Sequence, residues 1–466
     1  MSEKKELDRL GSARLETQKA SAARERLQKL FDEGTFVELD AFVKNGTDAS
    51  GVLTGYGEVE GATLFAFSQD ASERGAAVCK AQAKKIVRLY EMAIKMGAPV
   101  VGIYDSKGAD ISEGNEMLAA YSKIVEKAAS LSGVVPQVAL VLGSCAGLGA
   151  LAACSADFVV MSEKAELFLT PPAISKDRSD YGDAKAALAS GTAQIVCEDE
   201  EKAIAAVRGL ISLLPENNLS AAATFDFEAP ADTSVLTGIL DKLCDTALCD
   251  ITKAIADEGS FTLLSNNFGK GAHTALVTLG GTTVGMVNTC GELDHNGAAR
   301  IARFVSVCDS FQIPVVTMIN TEGVKPSGAD EMAGAVRDMA RLAHVYAEAT
   351  TPKIAVVTGS AIGSAYVALA NADVVYAWPG AVISAMPVAA AVAFLEGEKI
   401  TKDTTREQVQ AQYCEGEGSA YRAAEGGFVQ DIITPADTRD TLIRTLEMLA
   451  NKRVTRLPKK HSNLPL

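Results

Sequence analysis

The chain has little of what marks a metal centre, a membrane span or a nucleic-acid binder. Its four histidines (273, 295, 344 and 461) show no ligand spacing, and no metal site is expected. Its nine cysteines (79, 145, 154, 197, 244, 249, 290, 308 and 414) are odd in number and include no C-x-x-C pair. Scattered in this way, several of them in apolar runs, they read as structural thiols of a reducing compartment, so a cytoplasmic location is expected. The longest apolar run, 383–395, contains Pro387 and is too short for a bilayer. The opening M-S-E-K-K-E-L-D-R-L has no apolar stretch of the signal-peptide kind, and no direct membrane insertion is expected. A net charge of −15 argues against nucleic acid or an anionic membrane as the main partner, while leaving room for a local basic groove that takes a phosphorylated ligand. Aromatic residues make up only 6% and there is one Trp, so the cores must be built from Ala, Val, Ile and Leu.

Familiar catalytic signatures are missing as well. There is no G-x-x-x-x-G-K-[ST] phosphate loop. The stretch G-S-C-A-G-L-G at 143–149 is not a G-x-S-x-G nucleophile elbow, because Ser144 lies between Gly143 and Cys145 and no partner His is evident. Cys145 reads as a small buried residue beside a turn rather than as a nucleophile. Glu113 and Glu116 are the nearest carboxylates to that region, and they read as surface helix residues.

What the chain does have is a long sentence written twice. Residues 98–109 read A-P-V-V-G-I-Y-D-S-K-G-A, and 313–324 read I-P-V-V-T-M-I-N-T-E-G-V. Residues 135–149 read V-P-Q-V-A-L-V-L-G-S-C-A-G-L-G, and 351–365 read T-P-K-I-A-V-V-T-G-S-A-I-G-S-A. The copies lie about 215 residues apart in both cases, which points to two domains of one fold rather than to an array of short repeats. A length of 466 residues also exceeds one ordinary core. Charge rises over 175–235, and E-A-P-A-D-T-S at 228–234 reads as a linker, giving domains 1–235 and 236–466.

Within each half, short apolar runs alternate with helical periodicity, the pattern of an α/β fold. Residues 1–35 read as an amphipathic helical arm. Residues 54–70 read as a β-rich stretch that turns after 54–61, and 275–287 as a hairpin around Gly280-Gly281. Segments 76–96, 115–131, 297–311 and 330–347 read as helices. Segments 100–104, 138–142, 158–161, 167–169, 315–319, 354–357 and 374–377 read as strands. Residues 143–149 and 359–365 read as turns, with a helix starting at 150. A tight turn of small residues after a buried strand exposes backbone N–H groups, and two such turns side by side can aim two of them at one oxygen. The candidate donors are Gly108, Ala109, Ala146, Gly147 and Leu148 in the first half, and Gly323, Val324, Gly363, Ser364 and Ala365 in the second. Such turns serve packing alone in many α/β folds, so their repetition in both halves carries the functional reading.

Longer stretches add a family likeness. They include A-S-A-A-R-E-R-L-Q-K-L-F-D-E-G-T-F-V-E-L at 20–39, V-L-T-G-Y-G-E-V-E-G at 52–61, F-S-Q-D at 67–70 and G-A-P-V-V-G-I-Y-D-S-K-G-A at 97–109. S-G-V-V-P-Q-V-A-L-V-L-G-S-C-A-G at 132–147, Y-A-E-A-T-T-P-K at 346–353, A-D-V-V-Y-A-W-P at 372–379, Y-R-A-A-E-G-G-F-V-Q-D-I-I-T-P-A-D-T-R at 421–439 and P-K-K-H-S-N-L-P-L at 458–466 complete the set. The chain resembles the carboxyltransferase subunit of biotin-dependent acyl-CoA carboxylases and of the related sodium-pumping acyl-CoA decarboxylases. The resemblance implies two tandem crotonase-like domains, the first holding the acyl-CoA thioester and the second biotin. It implies CO2 transfer between carboxybiotin and an acyl-CoA through an enolate, with Gly147 and Leu148, helped by Gly108 and Ala109, holding the thioester oxygen. Gly363, Ser364 and Ala365 would hold the ureido oxygen. Biotin would arrive on a separate carrier protein, since no A-M-K-M attachment motif is present and Lys95, in A-I-K-M at 93–96, sits inside a helical pattern. A biotin carboxylase or membrane decarboxylase subunits would be further partners, and a hexamer or a smaller assembly of the same type is implied.

The chain departs from the family pattern at Lys107 and Asp110, where D-S-G-G-A-R becomes D-S-K-G-A-D, and at Leu148, where A-G-G becomes A-G-L. It departs again at 362–367, where I-G-S-A-Y-V replaces Y-G-G-A-Y-D and Val367 replaces an acidic residue. A biotin-independent crotonase-like enzyme and a scaffold without activity are the alternatives these departures leave open.

Overall fold

The computed structural model describes residues 3–175, 180–221, 223–243, 246–264, 267–455 and 457–465, so Cys244 and the last residue of the tail lie outside the described residues. The chain forms two compact units, Met1–Ala221 and Ala222–Leu466. Residues 224–225 belong with the second, through the Thr224–Thr282 bridge and the bond from the Phe225 N–H to the Gly281 carbonyl.

The first unit is built on a sheet whose strands run, side by side, Val37–Leu39, Val52–Val59, Ala62–Gln69, Val100–Ser106, Gln137–Ala146, Phe158–Ser162 and Ile195–Cys197. The hairpin is antiparallel and turns at Glu60-Gly61, both at positive φ (51° and 80°), as a two-residue turn between right-twisted strands requires. Every later pairing in that order is parallel. Helices cover the parallel strands. Lys80–Met96 buries Ala83, Ile86, Leu89, Tyr90 and Ala93, and Glu116–Leu131 buries Ala120, Tyr121, Ile124, Ala128 and Leu131, both at helical spacing. The expected arm is two helices, Glu3–Thr17 and Ala22–Leu30, separated at Ser21, whose hydroxyl caps the second. The second buries Ala23, Arg26, Leu27 and Leu30, whereas the first buries nothing.

The second unit repeats the plan. Its strands run Thr262–Leu264, Ala272–Leu279, Thr282–Thr289, Val315–Val324, Lys353–Ile362, Val374–Ala377 and Asp431–Ile432. The lone Trp378 is fully buried, and its indole N–H donates to the Thr438 hydroxyl at 2.9 Å. Asp257 accepts the Gly280 and Gly281 N–H groups at 3.0 and 2.8 Å and pairs with Arg439, which ties the hairpin turn to the Thr438–Leu449 helix.

Two expectations change. Residues 143–146 and 359–362 are not turns: the central strands run on to Ala146 and Ile362, and the helices start at Leu148 and Gly363. The extensions pair with short parallel strands that the chain reaches some twenty residues later, Glu166–Phe168 and Val382–Ser384. The 330–347 helix is two helices, Gly328–Ala333 and Ala335–Glu348, broken at Gly334 (φ 112°). Among the described residues, no helix is long and apolar enough to cross a membrane.

Candidate active site

In the first unit, Ser106 lies opposite Cys145 on the neighbouring parallel strand, so residues 107–110 and 147–149 leave the sheet from one edge. The first turn is tied down by a hydroxyl. Ser106 Oγ accepts the Gly108 N–H at 3.1 Å and donates to the Ala76 carbonyl at 2.7 Å. The Gly108 carbonyl accepts the Val78 N–H at 2.8 Å, and the Asp110 N–H donates to the Val78 carbonyl at 3.0 Å. This is the parallel bridge of Val78 with Ala109, in which Ala109's own N–H points away from Val78. At the second turn Gly147 adopts φ 58°, where a side chain is strained, and its N–H donates to the Phe168 carbonyl at 2.8 Å. Leu148 opens the following helix, and an N–H in a first helical turn has no acceptor within its own helix. Of the five candidates in this unit, Gly108 and Gly147 have committed N–H groups, while the Ala109 N–H turns away from Val78 and the Leu148 N–H lies in a first helical turn. Ala146 lies opposite Phe168 and ends the strand.

The second unit has the same geometry. Thr321 lies opposite Ala361. Thr321 Oγ1 accepts the Gly323 N–H at 3.2 Å and donates to the Gly291 carbonyl at 2.8 Å. Val324 pairs with Leu293, and the Lys325 N–H donates to the Leu293 carbonyl at 3.0 Å. Val324 is therefore the counterpart of Ala109. Gly363 adopts φ 58°, the same value as Gly147, and a side chain there would meet the Ala385 carbonyl at 3.2 Å. Ser364 and Ala365 follow in the first helical turn, Ser364 exposed and Ala365 fully buried. Val367 stands out from this helix, 71% exposed. The N–H groups of residues 363–365 lie in the first turn of the Gly363–Leu369 helix, where an N–H has no acceptor within its own helix.

Several of the side chains nearby are already engaged. Arg26, reaching in from the Ala22–Leu30 helix, pairs with Asp105 at 2.8 Å and with Glu200 at 2.6 Å. Asp105 also takes Gln69 Oε1 as the acceptor for its own N–H at 3.1 Å. Glu113 accepts the Lys80 N–H at 2.8 Å and Glu116 pairs with the Lys80 ammonium, so each carboxylate has a partner on the Lys80–Met96 helix. Burial pushes the Cys145 thiol well up, which keeps it protonated and unreactive. At the departures in 107–110, Lys107 lies across Gly75, and Asp110 pairs with Arg74 at 2.9 Å. The hydroxyl and amide of Ser112, with the Arg74 charge, hold the Asp110 carboxyl below the usual carboxylate range.

Sequence reasoning missed Ser106 and Thr321, although S-x-G and T-x-G stand at matching places in the repeat. It also missed His295, which opens the His295–Ser310 helix. Its Nδ1 lies 2.7 Å from Asp330 Oδ1, and its backbone N–H donates to Asp330 Oδ2 at 3.1 Å. Lys80, held by Glu113 and Glu116, is its counterpart in the first unit.

Residues 17–464 match the Carboxyl transferase domain family. The chain is 36% identical to the alpha subunit of methylmalonyl-CoA decarboxylase from Veillonella parvula, covering 98% of this chain and 96% of that one. It is 36% identical to the 12S subunit of methylmalonyl-CoA carboxyltransferase from Propionibacterium freudenreichii subsp. shermanii, covering 98% and 94%. It is 35% identical to the propionyl-CoA carboxylase beta chain of Saccharopolyspora erythraea, covering 95% and 90%. Among solved structures, transcarboxylase 12S, a hexamer with methylmalonyl-coenzyme A and methylmalonic acid bound, matches with a TM-score of 0.92 at 33% identity, covering 100% of both chains. The two units are tandem crotonase-like domains, as the sequence led us to expect.

Proposed function

Because this chain belongs to the carboxyl transferase family, whose members include acyl-CoA carboxylase and decarboxylase subunits, we propose that it moves CO2 between an acyl-CoA and biotin carried on a separate protein. The observation that carries this reading is the pair of matched turns, each presenting main-chain donors beside a hydroxyl-tied glycine, with a different lining in each unit. Ala109 and Leu148 hold the thioester oxygen of the acyl-CoA. Charge grows on that oxygen as the α-carbon loses CO2 or a proton, and fixed N–H dipoles stabilise it without reorganising. In the second unit the N–H groups of Gly363, Ser364 and Ala365, with Val324 beside them, take the ureido oxygen. Biotin supplies the nitrogen that carries CO2, so no side-chain acid or base has to do so. The Leu148 side chain packs against the first unit's core, so the departure from A-G-G alters the lining and leaves the backbone donor in place.

Methylmalonyl-CoA and other small malonyl-type thioesters are the proposed substrates, and a hexamer of the transcarboxylase 12S kind is the proposed assembly. Lys95 is exposed on the Lys80–Met96 helix rather than at a hairpin turn, in keeping with biotin on another chain. The test is CO2 release from methylmalonyl-, malonyl- and glutaconyl-CoA by purified protein, with and without free biotin. Biotin-dependent release is expected. CO2 release that ignores biotin would point to a biotin-independent crotonase-like enzyme instead, and no turnover with any of the three would leave a scaffold. Gly147→Val and Gly363→Val strain a backbone held at φ 58° and turn the N–H groups that follow off their aim, so each should lose transfer, with a barrier about 2.7–4 kcal/mol higher where one neighbouring donor no longer reaches the oxygen, while keeping the wild-type circular dichroism. Normal activity in both variants would remove the two-turn mechanism.

A further inference from the structure

We propose that Ser106 and Thr321 are positioning residues that decide which backbone N–H in each turn is offered to the ligand. The inference rests on the carboxyl-transfer reading only for its catalytic consequence; the geometry stands apart from it. The two six-residue stretches Y-D-S-K-G-A (104–109) and I-N-T-E-G-V (319–324) share only a hydroxyl and a glycine two residues later. Both hydroxyls are shielded from water, Ser106 being 6% exposed and Thr321 0%. Each accepts the N–H of its glycine, at 3.1 and 3.2 Å, and spends its single proton on a carbonyl of the segment alongside, Ala76 at 2.7 Å and Gly291 at 2.8 Å.

That neighbouring segment bridges the next residue of the turn two positions on, Val78 with Ala109 and Leu293 with Val324. The hydroxyl therefore closes a small ring that removes the glycine N–H from competition and sets the plane of the following peptide. Without it, the glycine N–H and the Gly291 carbonyl each lose the hydroxyl they pair with, and the Ala76 carbonyl keeps only the longer bond from Gln82 Nε2 at 3.4 Å. The turn could then rotate to satisfy them, carrying the Ala109 or Val324 N–H off the oxygen it serves. The residues after each glycine are free to differ, and they do, Ala109 against Val324, because the aim is set upstream of them.

The test compares Thr321→Val, which keeps shape and removes the hydroxyl, with Thr321→Ser, which keeps the hydroxyl. Ser106→Ala and Ser106→Thr form the matching pair. With full-length protein, methylmalonyl-CoA and free biotin, the Val and Ala variants should lose about tenfold or more in kcat, with the KM for both substrates unchanged. The Ser and Thr variants should restore kcat to near the wild-type value. Amide hydrogen exchange gives a readout that needs no turnover: protection of the Gly108 and Gly323 amides should fall about tenfold in the hydroxyl-less variants and stay high in the conservative ones. Wild-type kcat together with wild-type protection in Thr321→Val and Ser106→Ala would overturn the proposal. So would a Thr321→Ser as impaired as Thr321→Val, since packing rather than the hydroxyl would then be responsible. A wild-type protein with no biotin-dependent turnover would sink the carboxyl-transfer reading and leave the exchange data to decide this one.

Discussion

Lys85 shows how much a single buried charge can reveal. It is 3% exposed, and its ammonium donates to the Val52 carbonyl at 2.7 Å. Burial pushes it down from the ordinary 10.5 to about 8. Below pH 8 the ammonium is charged in both the folded and the unfolded chain, and the fold bears the full cost of burying it. Between pH 8 and 10.5 the folded amine has lost its proton while the unfolded chain still binds one, so stability should rise with pH across that window. Lys85→Met should stabilise the first unit by about 1–3 kcal/mol at pH 7 and flatten this rise. Urea midpoints at pH 7 and pH 10 for both proteins check it, and parallel pH profiles would contradict it. At this scale the sequence was informative about which residue types could act and nearly silent about which atoms were free. Gly147 looks like a donor in the sequence, yet its N–H is taken by Phe168, and Gly108's is taken by Ser106. Those partners lie twenty-one residues away in one case and two in the other, and neither leaves a periodic signal.

Elements were legible where apolar pattern alone places them. The buried parallel strands, both hairpins and the long helices follow from hydrophobic runs, helical spacing and stops such as Gly97 (φ 64°). The strand extensions through 143–146 and 359–362 were not legible, because they are built of small residues and are defined by pairing with strands reached later in the chain. Those extensions bring Gly143 against Asp105 and Gly359 against Asn320. An added methyl would come within 2.0 Å of Asp105 Oδ1 in the first case and 2.4 Å of Asn320 Oδ1 in the second. Gly143→Ala and Gly359→Ala should each destabilise their unit by about 1–3 kcal/mol. Gly149→Ala, whose methyl would find its nearest neighbour at 3.8 Å, should be tolerated. Denaturant titration of the three variants separates them, and equal midpoints would show that the strands yield rather than resist. The Gly334 break likewise escaped pattern reading, since apolar spacing continues across it.

For the whole molecule, the repeat in the sequence is matched by two sheets with corresponding strands, each with its own hydrophobic core. A chain of residues 1–221 expressed alone should therefore keep its secondary structure and unfold in one cooperative transition, as should 222–466. Far-UV circular dichroism with thermal melts checks this, and a fragment without a cooperative melt would show that its core is incomplete. The matched frame also has a historical consequence. A hydroxyl-tied glycine followed by an N–H turned away from the bridging segment, and a glycine at φ 58° where a helix opens, recur in both halves, while the residues beside them differ, Ala109 against Val324 and Leu148 against Ser364. After the ancestral gene doubled, drift in the neighbouring side chains could retune each half without disturbing the backbone proposed to hold the two oxygens. On the proposed reading, the same separation makes 109, 148, 324 and 364 the positions at which to breed altered substrate preference, with the frame left untouched.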